Sequence, residues 1–329
     1  MITDHRKNHD NQQQGHIQNV QLLGSSSSGA VPGGTRSRLG RIGLWTSALD
    51  RSPATLVRDA VAEIEDLGYG ALWVGEAIRR EAFANASLLL SASSSLVVAT
   101  GIANIWVRDA NAMSAGQHTL AEAWDGRFLL GIGVSHEPLV TPRGHRYERP
   151  LQAMRRYLDE MDKAPFDAPL PALENTLRVL GALGPRMLEL SAEKADGAHP
   201  YLVPPDHSQF AREILGTGPL LCPEVAVIIE PDKAKARLVA RRYLHSYLNL
   251  VNYRQNLARF GYDEGDFTDG GSDRLIDALI GWGDVETAAT KVFQHLEAGA
   301  DHVAVQVLSQ DPAGIPLAQW RSLAEVLIR

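Results

Sequence analysis

The chain has 329 residues, of which 44% are hydrophobic and 22% charged, and its formal net charge is −7 at pH 7. This length suits two domains or one large barrel-sized domain, and the composition is that of a globular protein. Its basic residues occur as isolated pairs rather than in clusters, which excludes nucleic acids and anionic membranes as partners. The single cysteine, Cys222, excludes a disulfide framework and a thiolate metal site, and no other metal-ligand spacing is present.

The N-terminal region differs in composition from the rest of the chain. Residues 1–38 are rich in Gln, Ser and Gly, with too few large apolar side chains to offset an ordering entropy of about 1–2 kcal/mol per residue. We therefore expect residues 1–38 to be a flexible tail or an added leader, and residues 39–329 to form a single domain. No membrane-length apolar run and no secretory signal pattern is present, so we expect a cytoplasmic protein.

From residue 39 onward, predicted strands and helices alternate. Each strand is an uninterrupted apolar run, which is typical of strands buried on both faces of a parallel sheet. Pro53 marks the start of the first helix, and Gly68 marks its end. In chain order the predicted elements are strand 39–45, helix 54–67, strand 71–74, helix 81–91, strand 96–99, helix 109–124, strand 128–131, helix 149–162, strand 177–180, helix 185–194, strand 197–202, helix 206–215, strand 224–229, helix 232–248, further helical segments within 252–298, strand 302–307 and helix 317–328.

This order of elements predicts an α/β fold, a closed (β/α)8 TIM barrel. Eight strands, each followed by a helix, fit such a barrel. A doubly wound open sheet is the alternative, but it usually has fewer strands. Its first strand would also lead into a Gly-x-Gly-x-x-Gly turn, and the segment 40–43 is not one. In a barrel, the functional residues are expected at the carboxyl ends of the strands.

Two predicted strand ends are notable for their glycines. In segment 126–136, Gly131 and Gly133 either leave room for a flat ring against the backbone or allow two strands to pack closely. In segment 180–186, a strand leads into a helix that begins at Pro185. The free N–H groups of that helix start, with Arg186, either cradle a phosphate or form an ordinary turn. The residues alone leave both alternatives open.

Several segments resemble the luciferase-like monooxygenase superfamily. Residues 96–109 resemble its third-strand signature and residues 126–136 its fourth, while 67–74 match its second strand and 281–284 are similar to the start of a late helix. The similarity extends over about residues 39–310. Within the superfamily, the chain is similar to actinobacterial oxidoreductases that use the deazaflavin coenzyme F420. The resemblance implies the bacterial luciferase type of TIM barrel.

The resemblance also implies a bound cofactor, coenzyme F420, with FMN as the alternative. Gly101–Ile102 fall where relatives have a non-prolyl cis peptide behind the ring. Glu76 matches an acidic residue of relatives that oxidise sugar phosphates, but Ala77 replaces their catalytic histidine, which argues against such a substrate. The cofactor-binding residues expected on this basis are Glu76, Gly101, Ile102, Asn104, Gly131, Gly133, Ser135, Gly181, Ala182, Leu183, Gly184, Pro185 and Arg186.

Candidate catalytic and substrate residues follow from the same resemblance. His136 lies where those relatives carry a glutamate beside the substrate, and an ordinary histidine pKa near 6.5 suits a proton donor. Glu76 and the neighbouring Glu137 are further catalytic candidates. Trp45, Trp106 and His199 are expected to line the substrate pocket. A small-molecule substrate and a homodimer are expected as well.

The leading interpretation is an oxidoreductase that moves a hydride between a deazaflavin and a small organic substrate. One alternative is an FMN-dependent monooxygenase of the same fold, supplied with reduced flavin by a partner reductase. Another is a non-catalytic cofactor-binding protein, because the histidine after Glu76 is missing. A barrel hydrolase that uses Glu76 and Glu137 as an acid–base pair is a third alternative, against which the glycine-flanked strands argue.

Overall fold

The computed structural model describes residues 34–328, and in this region strands and helices alternate as predicted. The strands are β1 (Ile42–Trp45), β2 (Ala71–Val74), β3 (Val97–Thr100), β4 (Ala103–Asn104), β5 (Phe128–Gly133), β6 (Arg178–Leu180), β7 (Gly197–Ala198), β8 (Leu220–Leu221), β9 (Glu224–Ile229), β10 (Ile280–Gly283) and β11 (Val303–Val307). The helices are α1 (Thr35–Arg38), α2 (Ala54–Asp66), α3 (Ala82–Leu90), α4 (Ala110–Ala123), α5 (Glu137–Val140), α6 (Pro150–Met161), α7 (Pro185–Lys194), α8 (Pro205–Leu215), α9 (Lys233–Leu248), α10 (Val251–Ala258), α11 (Asp273–Leu279), α12 (Val285–Glu297) and α13 (Leu317–Leu327).

The strands form a closed parallel barrel, which confirms the predicted fold class. From β1 the sheet continues in one direction through β2, β3, β5, β6 and β7, and in the other direction through β11 to β9. Only Cys222 and Pro223 separate β8 from β9, so these two strands are halves of one bent strand. Its first half pairs with β7 and its second half with β11, which joins the two ends of the sheet. The Glu224 amide continues the seam by donating to the Pro200 carbonyl at 2.8 Å.

Two of the predicted elements differ in the structure. Residues 280–283 lie inside the predicted helical region but form strand β10, which pairs with β9. Its glycine pattern has a packing cause, since a Cβ on Gly281 would lie 2.2 Å from the Ala288 carbonyl oxygen of α12. The sixth predicted strand, 197–202, ends early at Ala198. Pro200 has no N–H to donate, and Leu202 adopts a positive φ of 56°, so the chain leaves the sheet there.

The predicted tail comprises residues 1–38. Its first part, residues 1–33, lies outside the described residues. Its last part differs from the prediction, because Thr35–Arg38 form helix α1. Thr35 is buried, and its hydroxyl donates to the Gly126 carbonyl at 2.7 Å. Packed structure therefore begins several residues before position 39.

Side-chain caps fix the start of several helices. An acidic or hydroxyl side chain at each N-cap accepts a hydrogen bond from a backbone N–H of the first turn, a group that the helix itself leaves unpaired. The residues that do so are Glu81, Asp109, Asp232, Ser272 and Asp284. Helix α7 differs, because Gly184 precedes it and no side chain caps it.

Aromatic rings fill the barrel interior below its carboxyl end. The Trp73 and His199 rings are stacked with centroids 4.4 Å apart, and Trp73 Nε1 donates to His302 Nε2 at 2.9 Å. The other ring nitrogen of His302, Nδ1, donates to the Gly40 carbonyl at 2.9 Å. Burial lowers the pKa of His302 to about 4, so the ring is neutral and can accept the tryptophan N–H.

We predict that Gly131→Ala destabilises the barrel. The Gly131 amide donates to the Thr100 hydroxyl at 2.9 Å, and a Cβ at position 131 would lie 1.8 Å from the Thr100 carbonyl oxygen. Overpacking of this kind costs about 1–3 kcal/mol, measurable by urea or thermal unfolding. Gly218→Ala is the matched control, since its Cβ would meet no atom within 4 Å. Equal stability of the two variants would contradict the close packing of β3 and β5.

Candidate active site

A cavity of about 840 Å3 opens at the carboxyl ends of the barrel strands. This size is within the usual range for small-molecule and cofactor sites. Residues that follow β1, β2, β3, β5, β6 and β7 line it, together with the end of β11 and side chains of α9 and α10. Of the predicted site residues, those that line this cavity are Trp45, Glu76, Gly101, Ile102, Gly133, Ser135, His136, Gly181, Ala182, Leu183, Gly184 and His199.

Six predicted site residues do not line the cavity. Gly131 is inside the barrel wall, where the missing side chain makes room for the Thr100 carbonyl. Glu137 and Arg186 are exposed to solvent. The complete set outside the cavity lining is Asn104, Trp106, Gly131, Glu137, Pro185 and Arg186. Glu76 and Glu137 therefore do not share one site, which removes the basis for the hydrolase alternative.

Backbone from the segment after β3 forms part of the cavity floor. The Gly101–Ile102 peptide is cis, as the family resemblance implies. Trp45 Nε1 donates to the Gly101 carbonyl at 3.1 Å. A Cβ at position 101 would lie 2.7 Å from both Trp45 Nε1 and His199 Nε2, so only glycine fits between these two side chains.

The Ile102 side chain explains two of the neighbouring glycines. A Cβ on Gly133 would lie 2.5 Å from Ile102 Cγ1, and one on Gly181 would lie 3.3 Å from Ile102 Cγ2. These glycines therefore make room for a side chain of the same protein. The close-packing alternative accounts for Gly131 and Gly133, although Gly133 and Gly181 also border the cavity.

Glu76 holds this floor segment through a buried ion pair. Its carboxylate pairs with the Arg108 guanidinium and accepts hydrogen bonds from the Asn104 amide at 2.8 Å and the Ala82 amide at 3.2 Å. The Glu76 and Arg108 side chains are only 4% and 9% exposed. Because fixed donors occupy both carboxylate oxygens, the geometry favours an anchoring role for Glu76 over proton transfer.

Asn104 and Trp106 belong to the same supporting structure. The Asn104 side-chain oxygen accepts a hydrogen bond from the Trp106 amide at 2.9 Å. Trp106 Nε1 donates to the Val134 carbonyl at 2.9 Å, which ties the floor segment to the chain that leaves β5. Both side chains lie behind the cavity wall, where they hold the segments that face the cavity.

The start of helix α7 has the features of an anion-binding site. The cation beside it is not Arg186, which the sequence predicts, but Arg259. Gly184 lines the cavity and precedes an uncapped helix start, whose N–H groups and dipole favour a negative charge. Arg186 is exposed and does not line the cavity. Arg259 is likewise exposed and outside the cavity lining, but its guanidinium lies about 3.5 Å from the position a Gly184 Cβ would occupy, so it is the cation beside this helix start.

His136 is a neutral imidazole in the cavity wall at neutral pH. Burial lowers its pKa below the ordinary value, and a hydrogen bond with the Asn252 side chain partly offsets this shift. Its ring centroid lies 5.4 Å from that of Tyr253. A neutral imidazole has one nitrogen that accepts a proton and one that donates. The geometry is compatible with the predicted role in proton transfer, which stays a prediction.

His199 has a buried, unpaired ring nitrogen beside the floor segment. Its Nδ1 donates to the Cys222 carbonyl at 2.6 Å, while Nε2 has no partner in the described part of the chain. Burial lowers the pKa of His199 to about 4. The Nε2 lone pair is therefore an acceptor next to Gly101.

A group of four tyrosines also lines the cavity, and three of them, Tyr243, Tyr247 and Tyr253, are not predicted from the sequence. Tyr201 follows β7, Tyr243 and Tyr247 are on α9, and Tyr253 is on α10. The spacing of four between Tyr243 and Tyr247 places both on one helix face, which is the signal that could have identified them. Asp50 was missed as well. It lines the cavity, and burial raises its pKa to about 6 against the lowering effect of its hydrogen bond from Asn85.

Among residues 34–328, no cluster of His, Cys, Asp and Glu has the geometry of a metal site. In the same region, no helix is both long enough and apolar enough to cross a membrane.

Comparison with known proteins identifies the family. Residues 39–302 match the family described as luciferase-like monooxygenase, and the chain belongs to that family. This agrees with the barrel and with the position of its cavity.

Individual relatives are distant in sequence. A Mycobacterium tuberculosis protein, provisionally named as a coenzyme F420-dependent oxidoreductase, is 24% identical over 250 residues, which cover 63% of this chain and 71% of the relative. An F420-dependent secondary alcohol dehydrogenase, solved in complex with an F420–acetone adduct, has a TM-score of 0.68 at 15% identity and covers 88% of this chain and 98% of that one. The oxygenating constituent of 3,6-diketocamphane monooxygenase from Pseudomonas putida, solved in complex with FMN, has a TM-score of 0.63 at 15% identity and covers 87% and 97%.

We predict that Glu76→Gln lowers stability, because it leaves the Arg108 charge without its buried partner. Removal of one member of a buried pair costs about 3–5 kcal/mol, and the remaining contact of Arg108 with Glu81 should keep the loss near the lower limit. Glu193→Gln is the control, because it breaks an exposed pair with Arg155 and should leave the free energy of unfolding unchanged. Similar urea midpoints for both variants would contradict the anchoring role.

A second prediction concerns Glu224, at the start of β9. Its side chain is almost fully buried, and burial raises its pKa to about 8, although a hydrogen bond from the Leu202 amide opposes the shift. The unfolded chain releases this proton near the ordinary glutamate pKa of about 4.3. The folded state therefore holds a proton that the unfolded state has lost, so stability falls as pH rises from that value through about 8.

Glu224→Gln should remove this part of the pH dependence. Urea unfolding at pH 6 and pH 9 should show a smaller loss of stability in the variant than in the wild type. Glu213→Gln, an exposed position on α8, should keep the wild-type difference. An unchanged difference in Glu224→Gln would show that Glu224 is not neutral in the folded protein.

Proposed function

We propose that this protein is an oxidoreductase that uses coenzyme F420 to transfer a hydride to or from a small organic substrate. The observation that carries the proposal is the cavity of about 840 Å3 at the carboxyl ends of the strands, in a chain of the luciferase-like family. The similarity to a provisionally named F420-dependent oxidoreductase supports the choice of cofactor.

The residues present fit such a cofactor in two respects. Near Trp45, the floor has no side chains at Gly75 or Gly101. Their missing Cβ atoms make room for the Trp45 and His199 side chains, and both glycines line the cavity, so backbone forms part of the surface that a ring system would meet. Gly184 also lines the cavity, and the uncapped start of α7 together with Arg259 would hold a phosphate. When bound, the deazaflavin ring supplies the carbon that donates or accepts the hydride.

The protein itself supplies position, exclusion of water and a proton site. Ile102 and the Glu76–Arg108 pair keep the floor segment in place, which fixes the geometry that hydride transfer requires. His136 is the group we expect to hold or accept the substrate proton, since its imidazole is neutral and lines the cavity. Glu76 is not assigned that role, because Arg108 and backbone amides occupy its carboxylate.

An FMN-dependent monooxygenase is the second candidate. It is favoured by the family's description and by the FMN complex of one structural neighbour. The same cavity would accept either ring system, so binding distinguishes the two candidates. A homodimer and a small-molecule substrate remain expectations in both cases.

The proposal predicts that full-length protein binds coenzyme F420 more tightly than FMN, followed through the cofactor's visible absorbance and fluorescence. Gly101→Ala should weaken binding at least about tenfold, because its Cβ would push Trp45 and His199 from their positions. Gly218→Ala is the matched control and should bind like the wild type. Tighter binding of FMN, with oxygen consumption in the presence of reduced FMN, would favour the monooxygenase instead. Tight binding without turnover on alcohols, imines and enones would indicate a non-catalytic cofactor-binding protein.

A further inference from the structure

Four tyrosines and one glutamine form a continuous wall on the α9 side of the cavity, here called the tyrosine wall: Tyr201, Tyr243, Tyr247, Tyr253 and Gln306. The Tyr247 ring centroid lies 5.4 Å from Tyr201 and 5.0 Å from Tyr243. Tyr253 meets Tyr247 edge to face, at 5.4 Å and 89°. These contacts hold the rings as a rigid aromatic surface rather than as separate side chains.

Three of the four hydroxyl groups are satisfied within the wall. Tyr201 donates to the Gln306 side-chain oxygen at 2.8 Å and accepts from Tyr243 at 3.1 Å. The Tyr201 and Tyr247 hydroxyl oxygens are 2.9 Å apart. Because the Tyr201 proton is directed at Gln306, Tyr247 is the donor in this hydrogen bond and Tyr201 the acceptor. The protons of Tyr201, Tyr243 and Tyr247 are thereby used.

Two hydrogen-bond donors of the wall are left over. The Tyr253 hydroxyl has no partner in residues 34–328, although the residue is only 5% exposed. The Gln306 amide nitrogen also has no partner among these residues, and Gln306 is 9% exposed. Both residues line the cavity. Neither atom is among the fully buried unpaired polar atoms, so both donors are open to the cavity and available to a ligand oxygen that accepts from them.

The tyrosine wall itself contains no charged side chain. Burial raises the pKa values of Tyr201, Tyr243 and Tyr253 well above the ordinary value, so the hydroxyls keep their protons. The arginines that line the cavity, Arg51, Arg79 and Arg242, are all exposed. An anionic group placed against these tyrosines, of which only Tyr253 is almost fully buried, would lose hydration without gaining a counter-charge within the wall.

We propose that the tyrosine wall is the substrate-recognition site and that it selects an uncharged, ring-bearing carbonyl compound or alcohol. The substrate ring packs against Tyr201, Tyr247 and Tyr253, and its oxygen accepts a hydrogen bond from Tyr253. The His136 ring is next to the Tyr253 ring, with centroids 5.4 Å apart, and both residues line the cavity, so the imidazole is in the same part of the cavity as the proposed substrate. This inference rests on the proposed oxidoreductase function, for which it names the class of substrate.

The test compares two probes of similar size, acetophenone and benzoate, on full-length protein without added cofactor. Titrations followed by saturation-transfer NMR should give saturable acetophenone binding and benzoate binding at least about tenfold weaker, because of the uncompensated charge. Tyr253→Phe should weaken acetophenone binding by about 2–10-fold, the value of one hydrogen bond, and leave the melting temperature unchanged. Tyr262→Phe, outside the cavity lining, is the matched control and should bind like the wild type.

Absence of saturable acetophenone binding, equal affinity for the two probes, or an acetophenone affinity that Tyr253→Phe leaves unchanged would each overturn the proposal. If Tyr253→Phe does not fold, the difference between acetophenone and benzoate in the wild type still decides the question. The cofactor titration does not depend on this measurement. Failure of the tyrosine wall as a substrate site is therefore distinguishable from failure to bind coenzyme F420.

Discussion

The Glu76 carboxylate is the interaction on which the cavity floor depends. It is fixed at the end of β2 and draws in the segment after β3 through the Asn104 amide and the Arg108 guanidinium. The Glu76 amide also donates to the Ile102 carbonyl, at 3.2 Å. With this segment fixed, the Ile102 side chain fills the space that Gly133 leaves free. One buried ion pair thus connects three neighbouring strands at the end of the barrel where the chemistry is expected.

Below that floor, buried polar groups are kept neutral and paired rather than excluded. The His302 and His199 rings each donate one N–H to a backbone carbonyl, and Trp73 lies between them, stacked on one and hydrogen-bonded to the other. Burial lowers the pKa of both histidines to about 4, because a charged imidazole in this interior would lack solvation. The exception is His199 Nε2, which is left unpaired at the level of the cavity floor.

The two sides of the cavity differ in the chemistry they offer. The start of α7 and Arg259 provide a positive field that suits an anionic group. The tyrosine wall provides aromatic surface and neutral donors, with burial holding the hydroxyls in their protonated form. This division suits the proposed function, in which an anionic cofactor and an uncharged substrate share one cavity.

The sequence by itself determined the barrel. Eight apolar runs separated by helical segments are typical of a parallel sheet covered on both faces and favour a barrel over a doubly wound sheet, and the barrel fold predicts site residues at the carboxyl ends, where the cavity opens. The sequence also located most of the floor, including Trp45, the Gly101–Ile102 pair and His136. The strand at 280–283 was missed, because its glycines reflect the approach of α12, a contact that the local sequence does not reveal.

Only the tertiary structure decided what each site residue does. From the sequence, Glu76 is a catalytic and cofactor-binding candidate, and only the structure shows that Arg108, 32 residues away in the chain, pairs with its carboxylate. Gly131 and Gly133 look like space for a ligand until Thr100 and Ile102 are found in that space. The tyrosine wall combines residues from four separate elements, between positions 201 and 306. Roles of this kind depend on contacts between distant segments, and those contacts exist only after the barrel has closed.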